Sequence, residues 1–209
     1  MIETAENTVQ LAVSGICAII AGYRAISYRK KSWLLLMLLF IIFFLGDLYW
    51  QLFLMFYHSA PLYFSSSELC WYTSYFFMYL LLRNIEEEGQ QLPRNRLLWL
   101  VPVFTGSMCV FYMQRGDYFS NLVSALLMTI LMQTALRGLL FLRGRTGPET
   151  NSRPLYAVVM IFCLMEYALW TSSCFWVGDT LANPYFWFDF LLTVSIFCLL
   201  PALRKAVDG

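Results

Sequence analysis

Four acids stand inside long apolar runs: Asp47 in "IFFLGDLYW", Glu68 in "SSSELCWY", Glu166 in "IFCLMEYALW" and Asp189 in "PYFWFDFLL". A carboxylate in hydrocarbon costs several kcal/mol unless it is protonated, paired or wetted. Asp47 and Glu166 lie about ten residues from one end of their runs, and Glu68 and Asp189 about five or six from the same end. Tyr49, Trp50, Tyr72, Tyr167 and Trp170 fall within about a helical turn of these acids. Aromatic faces beside carboxylates suit an organic cation or an amine. Asp47, Glu68, Glu166, Asp189, Trp50, Tyr72 and Trp170 are therefore the candidate ligand-binding residues. No lysine or arginine is expected in their layer, so the acids must share protons or be completed by an external cation.

Each acid also has a plainer reading. Ser65 and Glu68 stand at the spacing of a capping box, which would make Glu68 part of an ordinary helix start near residue 65. Asp189 fits a wet interfacial position, and Asp47 and Glu166 fit buried hydrogen-bonding roles. The same Trp and Tyr rings would also serve as an interfacial belt. His58, the only histidine, reads as a loop residue or a pH sensor.

The elements that must position these residues follow from composition. Of 209 residues 60% are hydrophobic and 13% charged, more apolar surface than a soluble chain of this length can bury. The excess is parcelled into blocks of membrane-crossing length. The expected fold is an all-α integral membrane protein forming a single domain over 1–209. Its seven transmembrane helices are expected near 8–27, 33–57, 63–82, 97–113, 119–141, 154–176 and 183–203. Asn183 followed by Pro184 marks the start of the last helix, and Pro102 is expected to kink the short fourth one. The opening "MIETAENTVQ" lacks the basic region of a cleaved signal peptide, so the first block is expected to remain as a helix.

Charge sets the orientation. The connections at 24–32, 83–96 and 137–154, with the terminal "RKAVDG", hold 13 of the 14 Lys and Arg; the opposite connections hold only Arg115. Basic residues accumulate on the cytoplasmic side, which puts the N-terminus outside and the C-terminus inside. The near-zero net charge gives no signal for nucleic acid, so the lipid bilayer is the expected partner. The inner "IEEEGQQLPRNR" reads as a solvated loop or a docking surface.

Two stretches recur. "IFFLGD" (42–47) parallels "IFCLME" (161–166), and "SYFFMYLLLR" (74–83) parallels "SIFCLLPALR" (195–204); in the second register Glu68 falls opposite Asp189. A parallel repeat of 8–83 and 119–204 about a linker helix at 97–113 is expected. This three-plus-one-plus-three layout resembles the SWEET and PQ-loop transporters and the KDEL receptors in topology. The Pro-Gln pair that names the PQ-loop proteins is absent, so none of their functional residues carries over. Residues 46–82 resemble the membrane input regions of bacterial signalling proteins, which implies a bacterial plasma membrane and a ligand sensed from outside. The chain stops six residues after Leu203, so any output is expected from a separate cytoplasmic signalling partner.

Several chemistries lack their motifs. There is no Walker loop, GxGxxG, HExxH or GxSxG. A lone histidine excludes multi-histidine metal sites, and no lysine is expected in the last helix to hold a Schiff base. No catalytic residue, metal or cofactor is assigned. The six cysteines read as small apolar helix residues, with Cys70–Cys174 as the one candidate bridge near the outer face. The leading expectation is a sensory or receptor-like module that binds a small polar or cationic ligand and is not an enzyme. The alternatives are a small-solute transporter, proton-coupled through Asp47 or Glu166, and an intramembrane hydrolase; "LGD" and the chain length resemble lysoplasmalogenase-type proteins.

Overall fold

The structure, a computed structural model, describes residues 2–59, 61, 65–86, 95–176 and 178–208. Seven long helices account for most of them: α1 (Ile2–Tyr28), α2 (Lys31–Tyr57), α3 (Ser66–Ile85), α4 (Leu100–Met113), α5 (Tyr118–Phe141), α6 (Arg153–Ser173) and α7 (Pro184–Asp208). Short 3-10 turns at Arg96–Trp99 and Pro148–Ser152 lead into α4 and α6. No strand occurs among the described residues. Six of the helical segments are long and apolar enough to cross a membrane. The other, α3, is 20 residues long but opens with "SSELCWYTSY", and that polar stretch turns inward to the site described below.

Local chemistry explains several boundaries. At the start of α7 the Tyr185 N–H donates to Asn183 Oδ1 at 3.0 Å, with Pro184 in the first helical position, where its missing N–H costs nothing. Pro102 does not interrupt α4. It sits third in that helix, where the N–H would lack an intrahelical partner anyway. His58 ends α2 in the left-handed conformation, φ 53°, and its N–H caps the Leu54 carbonyl. The helix starting with α1 is longer than expected, beginning at Ile2, and α7 runs on to Asp208. Lys205 therefore does lie in the last helix, but it is exposed in the final turn, at the end remote from the acids. The described part of α3 begins at Ser66; 62–64 and most of the inner loop, 87–94, lie outside the described residues.

The helices form a ring. α1 packs on α2, α2 on α3, α3 on α5, α5 on α6, α6 on α7, and α7 returns to α1, while α4 lies outside against α5. Their inward faces meet in a core of Trp33, Leu36, Phe40, Tyr75, Met78, Leu131, Phe162 and Ile196, all almost wholly buried. Their outward faces remain apolar, with Ile16, Ile19, Leu45, Met55, Val103, Phe190 and Phe197 exposed. Such a surface is untenable in water and natural in a bilayer.

Candidate functional site

Asp47 sits on the inner face of α2, one residue after a glycine that lies against α3. A Cβ on Gly46 would lie 2.9 Å from Trp71 Cδ1 and Nε1, so only glycine lets the indole of α3 come this close. The Trp71 Nε1–H then donates to Asp47 Oδ1 at 3.0 Å. Asp47 is 5% exposed, and its second oxygen, Oδ2, is buried with no hydrogen-bond partner. The Ser14 hydroxyl lies near enough to favour this carboxylate, although its own 3.1 Å bond goes to the Leu11 carbonyl.

Glu166 on α6 is equally buried and accepts a 2.6 Å bond from the Tyr75 hydroxyl of α3. Asp189 on α7 accepts from Gln10 Nε2 of α1 at 2.9 Å. Buried to 4% exposure, it is no wet interfacial residue. Glu6, one turn before Gln10, lies against Asp189, and neither of its oxygens meets an amide or hydroxyl donor. Asp47, Glu166 and Asp189 are close enough to repel one another.

Glu68 occupies a different corner. Ser65 makes no side-chain cap, its hydroxyl meeting Ser67 instead at 2.6 Å, so the capping box does not form. Glu68 reaches across to α5, where the Ser120 hydroxyl donates to it at 3.1 Å. The Tyr72 hydroxyl also bonds Ser120, at its hydroxyl and at its carbonyl, 3.2 Å.

All seven candidate residues, Asp47, Trp50, Glu68, Tyr72, Glu166, Trp170 and Asp189, line one half-open cavity of about 480 Å³. It lies at the end of the bundle that holds the start of α1 and the ends of α2, α4 and α6. The tryptophans divide by environment. Trp50 and Trp170 face the cavity together with Trp71, whereas Trp176 and Trp187 are about half exposed, as members of an interfacial belt would be. Trp50 and Trp71 form a tilted pair, centroids 5.7 Å apart, beside Asp47.

Several wall residues escaped the sequence reading. Gln10 is one, and behind it Glu6, just before the expected start of α1 at residue 8, reaches Asp189; their i, i+4 spacing in "ENTVQ" was the available signal. Trp71 and Tyr75 are two ordinary aromatics in an aromatic-rich helix, and only the packing singles them out as donors. Arg115 is a correction. It lines the cavity, so the acids do have a cation in their neighbourhood. Among the described residues no carboxylate comes within ion-pair distance of it, and its guanidinium lies 5.5 Å from the centroid of the Phe175 ring. Cys70 and Cys174 are free thiols, not a bridge. No group of His, Cys, Asp or Glu with metal-holding geometry occurs among the described residues.

No protein-family model, curated protein or solved structure matches this chain.

Proposed function

We propose that this chain is a receptor-like protein of the bacterial plasma membrane. Its acidic and aromatic cavity faces outward and takes up a small polar or cationic ligand. The observation that carries this reading is Asp47: a carboxylate oxygen buried in the cavity wall without a donor. Leaving such a group unpaired costs about 1–3 kcal/mol or more when charged, and a cationic ligand head would supply the missing partner. The outward direction rests on the basic residues, which cluster at the opposite end of the helices. The signal would pass to a separate cytoplasmic protein through movement of the helix ends.

Transport of a small solute is the second reading, favoured by the inner end of the bundle. There Asp208, at the end of α7, pairs with Lys30 at 2.7 Å and Arg24 of α1 at 3.9 Å. Glu86, just past α3, pairs with its neighbour Arg83 and with Arg137 of α5 at 3.9 Å. Arg24 and Arg137 each lie four residues before the end of their helix. If helices 1–3 and 5–7 are repeats, the α1–α7 and α3–α5 seams are equivalent. Paired charges closing both seams on the inner side are what a carrier caught open to the outside would have.

The test is thermal unfolding of detergent-purified protein against a panel of amines, sugars and metal ions, with Asp47→Asn and Glu166→Gln in parallel. A ligand that binds only the folded state at a hundred times its Kd stabilises by about 2.7 kcal/mol. An amine is expected to raise the midpoint of the parent and neither variant's. No shift with any compound, with variants as stable as the parent, would overturn the reading. Flux of the binding amine into proteoliposomes would replace the receptor with the carrier.

A further inference from the structure

The cavity is lined by acids and by one base that pairs with none of them among the described residues. In its wall Asp47 is 95% buried, and its Oδ2 makes no hydrogen bond. On the α4–α5 side Arg115, an exposed residue, lines the same space, without a carboxylate at ion-pair distance among the described residues. Asp117, the acid nearest to it in sequence, is otherwise engaged: its Oδ1 accepts the Ser120 N–H at 3.3 Å and caps α5. The Phe175 ring lies 5.5 Å from the guanidinium carbon. The protein therefore offers an acceptor and a five-donor fork in one cavity, and does not join them to each other.

Asp47 is buried in the cavity wall and Arg115 is exposed beside the same space, so one ligand could meet both. A purely cationic ligand answers Asp47 but meets repulsion from Arg115. A ligand carrying an ammonium at one end and an oxyanion at the other satisfies both. Trp50 and Trp71 beside Asp47 favour the cationic end there, and a planar guanidinium is suited to bidentate recognition of a carboxylate.

Building on the receptor-like reading of this same cavity, we infer that its ligand is a zwitterion, an amino-acid-like molecule bound ammonium-inward at Asp47 and carboxylate-outward at Arg115. Arg115 is then the residue that determines specificity, and sorts zwitterions from plain amines.

The probes are ω-amino acids from glycine to 6-aminohexanoate and their methyl esters, which keep the ammonium and remove the anionic charge. Binding to the purified full chain is measured by calorimetry for the parent, R115Q, R115K and D47N. The expected result is a chain length at which the free acid binds about tenfold more tightly than its ester. That preference should fall to within about twofold in R115Q and return in part in R115K, while D47N loses both ligands. R115Q should leave the unliganded thermal midpoint unchanged, which separates loss of selectivity from loss of fold. Esters binding as well as acids in the parent, or an acid preference that survives in R115Q, would overturn the zwitterion and leave the cation site standing. Binding of neither series to the parent would overturn the zwitterion and the receptor reading together.

Discussion

The smallest residue at the site decides its most buried contact. Gly46 fixes how near Trp71 can come to α2, and so whether Asp47 keeps its indole donor. Adding a single methyl group there would place carbon 2.9 Å from the indole. Gly46→Ala is expected to push Trp71 outward, break the 3.0 Å bond to Asp47 and lower stability by about 1–3 kcal/mol. Tryptophan fluorescence should report a changed environment and the thermal midpoint should fall. An unmoved spectrum and midpoint would mean that the helices slide to accommodate the methyl. In "IFCLME", the stretch whose letters parallel "IFFLGD", Met165 stands where Gly46 does. Glu166 accordingly finds a different donor, the longer-reaching Tyr75 hydroxyl.

At the scale of elements, α1 contributes more than a membrane crossing. Its first turns bring Glu6, Asn7 and Gln10 to the cavity side of α7. The loop before α7 reciprocates: Asp179 accepts the N–H groups of Ile2 and Glu3, at 3.3 and 3.1 Å, and so caps the start of α1. The two ends are tied by a cap on one side and by Gln10–Asp189 on the other. Between them sits Glu6, a carboxyl facing a carboxyl. Glu6→Gln supplies a donor for Asp189 and removes a like charge, so the thermal midpoint of the unliganded protein should rise. A fall would show that Glu6 contributes a bond that a neutral amide cannot replace.

For the whole molecule, the ring of six helices separates two ends of opposite character. One holds a cavity rich in acids and aromatic rings. The other carries the basic residues and the ion pairs across the α1–α7 and α3–α5 seams. The proposed orientation puts Thr180 outside and Arg145 inside. In a cysteine-free background, Thr180→Cys should react with a membrane-impermeant maleimide on intact cells, and Arg145→Cys only after lysis. The reverse pattern would turn the cavity toward the cytoplasm and require a cytoplasmic ligand.

The sequence by itself determined what is one-dimensional: helix existence, from runs of apolar length, and individual start signals such as Asn183–Pro184. It also singled out the four acids, because a carboxylate in an apolar run is conspicuous wherever it ends up. That Asp47, Glu68, Glu166 and Asp189 line one space was decided only by the tertiary structure, since it depends on which helices become neighbours around the ring. Donor identity was decided there too. Trp71, Tyr75 and Gln10 are unremarkable as letters, and each becomes a partner through rotation of its helix about its own axis, which local composition does not specify. The same holds for Glu68. Its spacing from Ser65 favours a local cap, but the Ser120 hydroxyl across the α3–α5 seam holds it instead. Arg115, a lone basic residue in a short connection, acquires meaning only from the cavity beside which the packing leaves it.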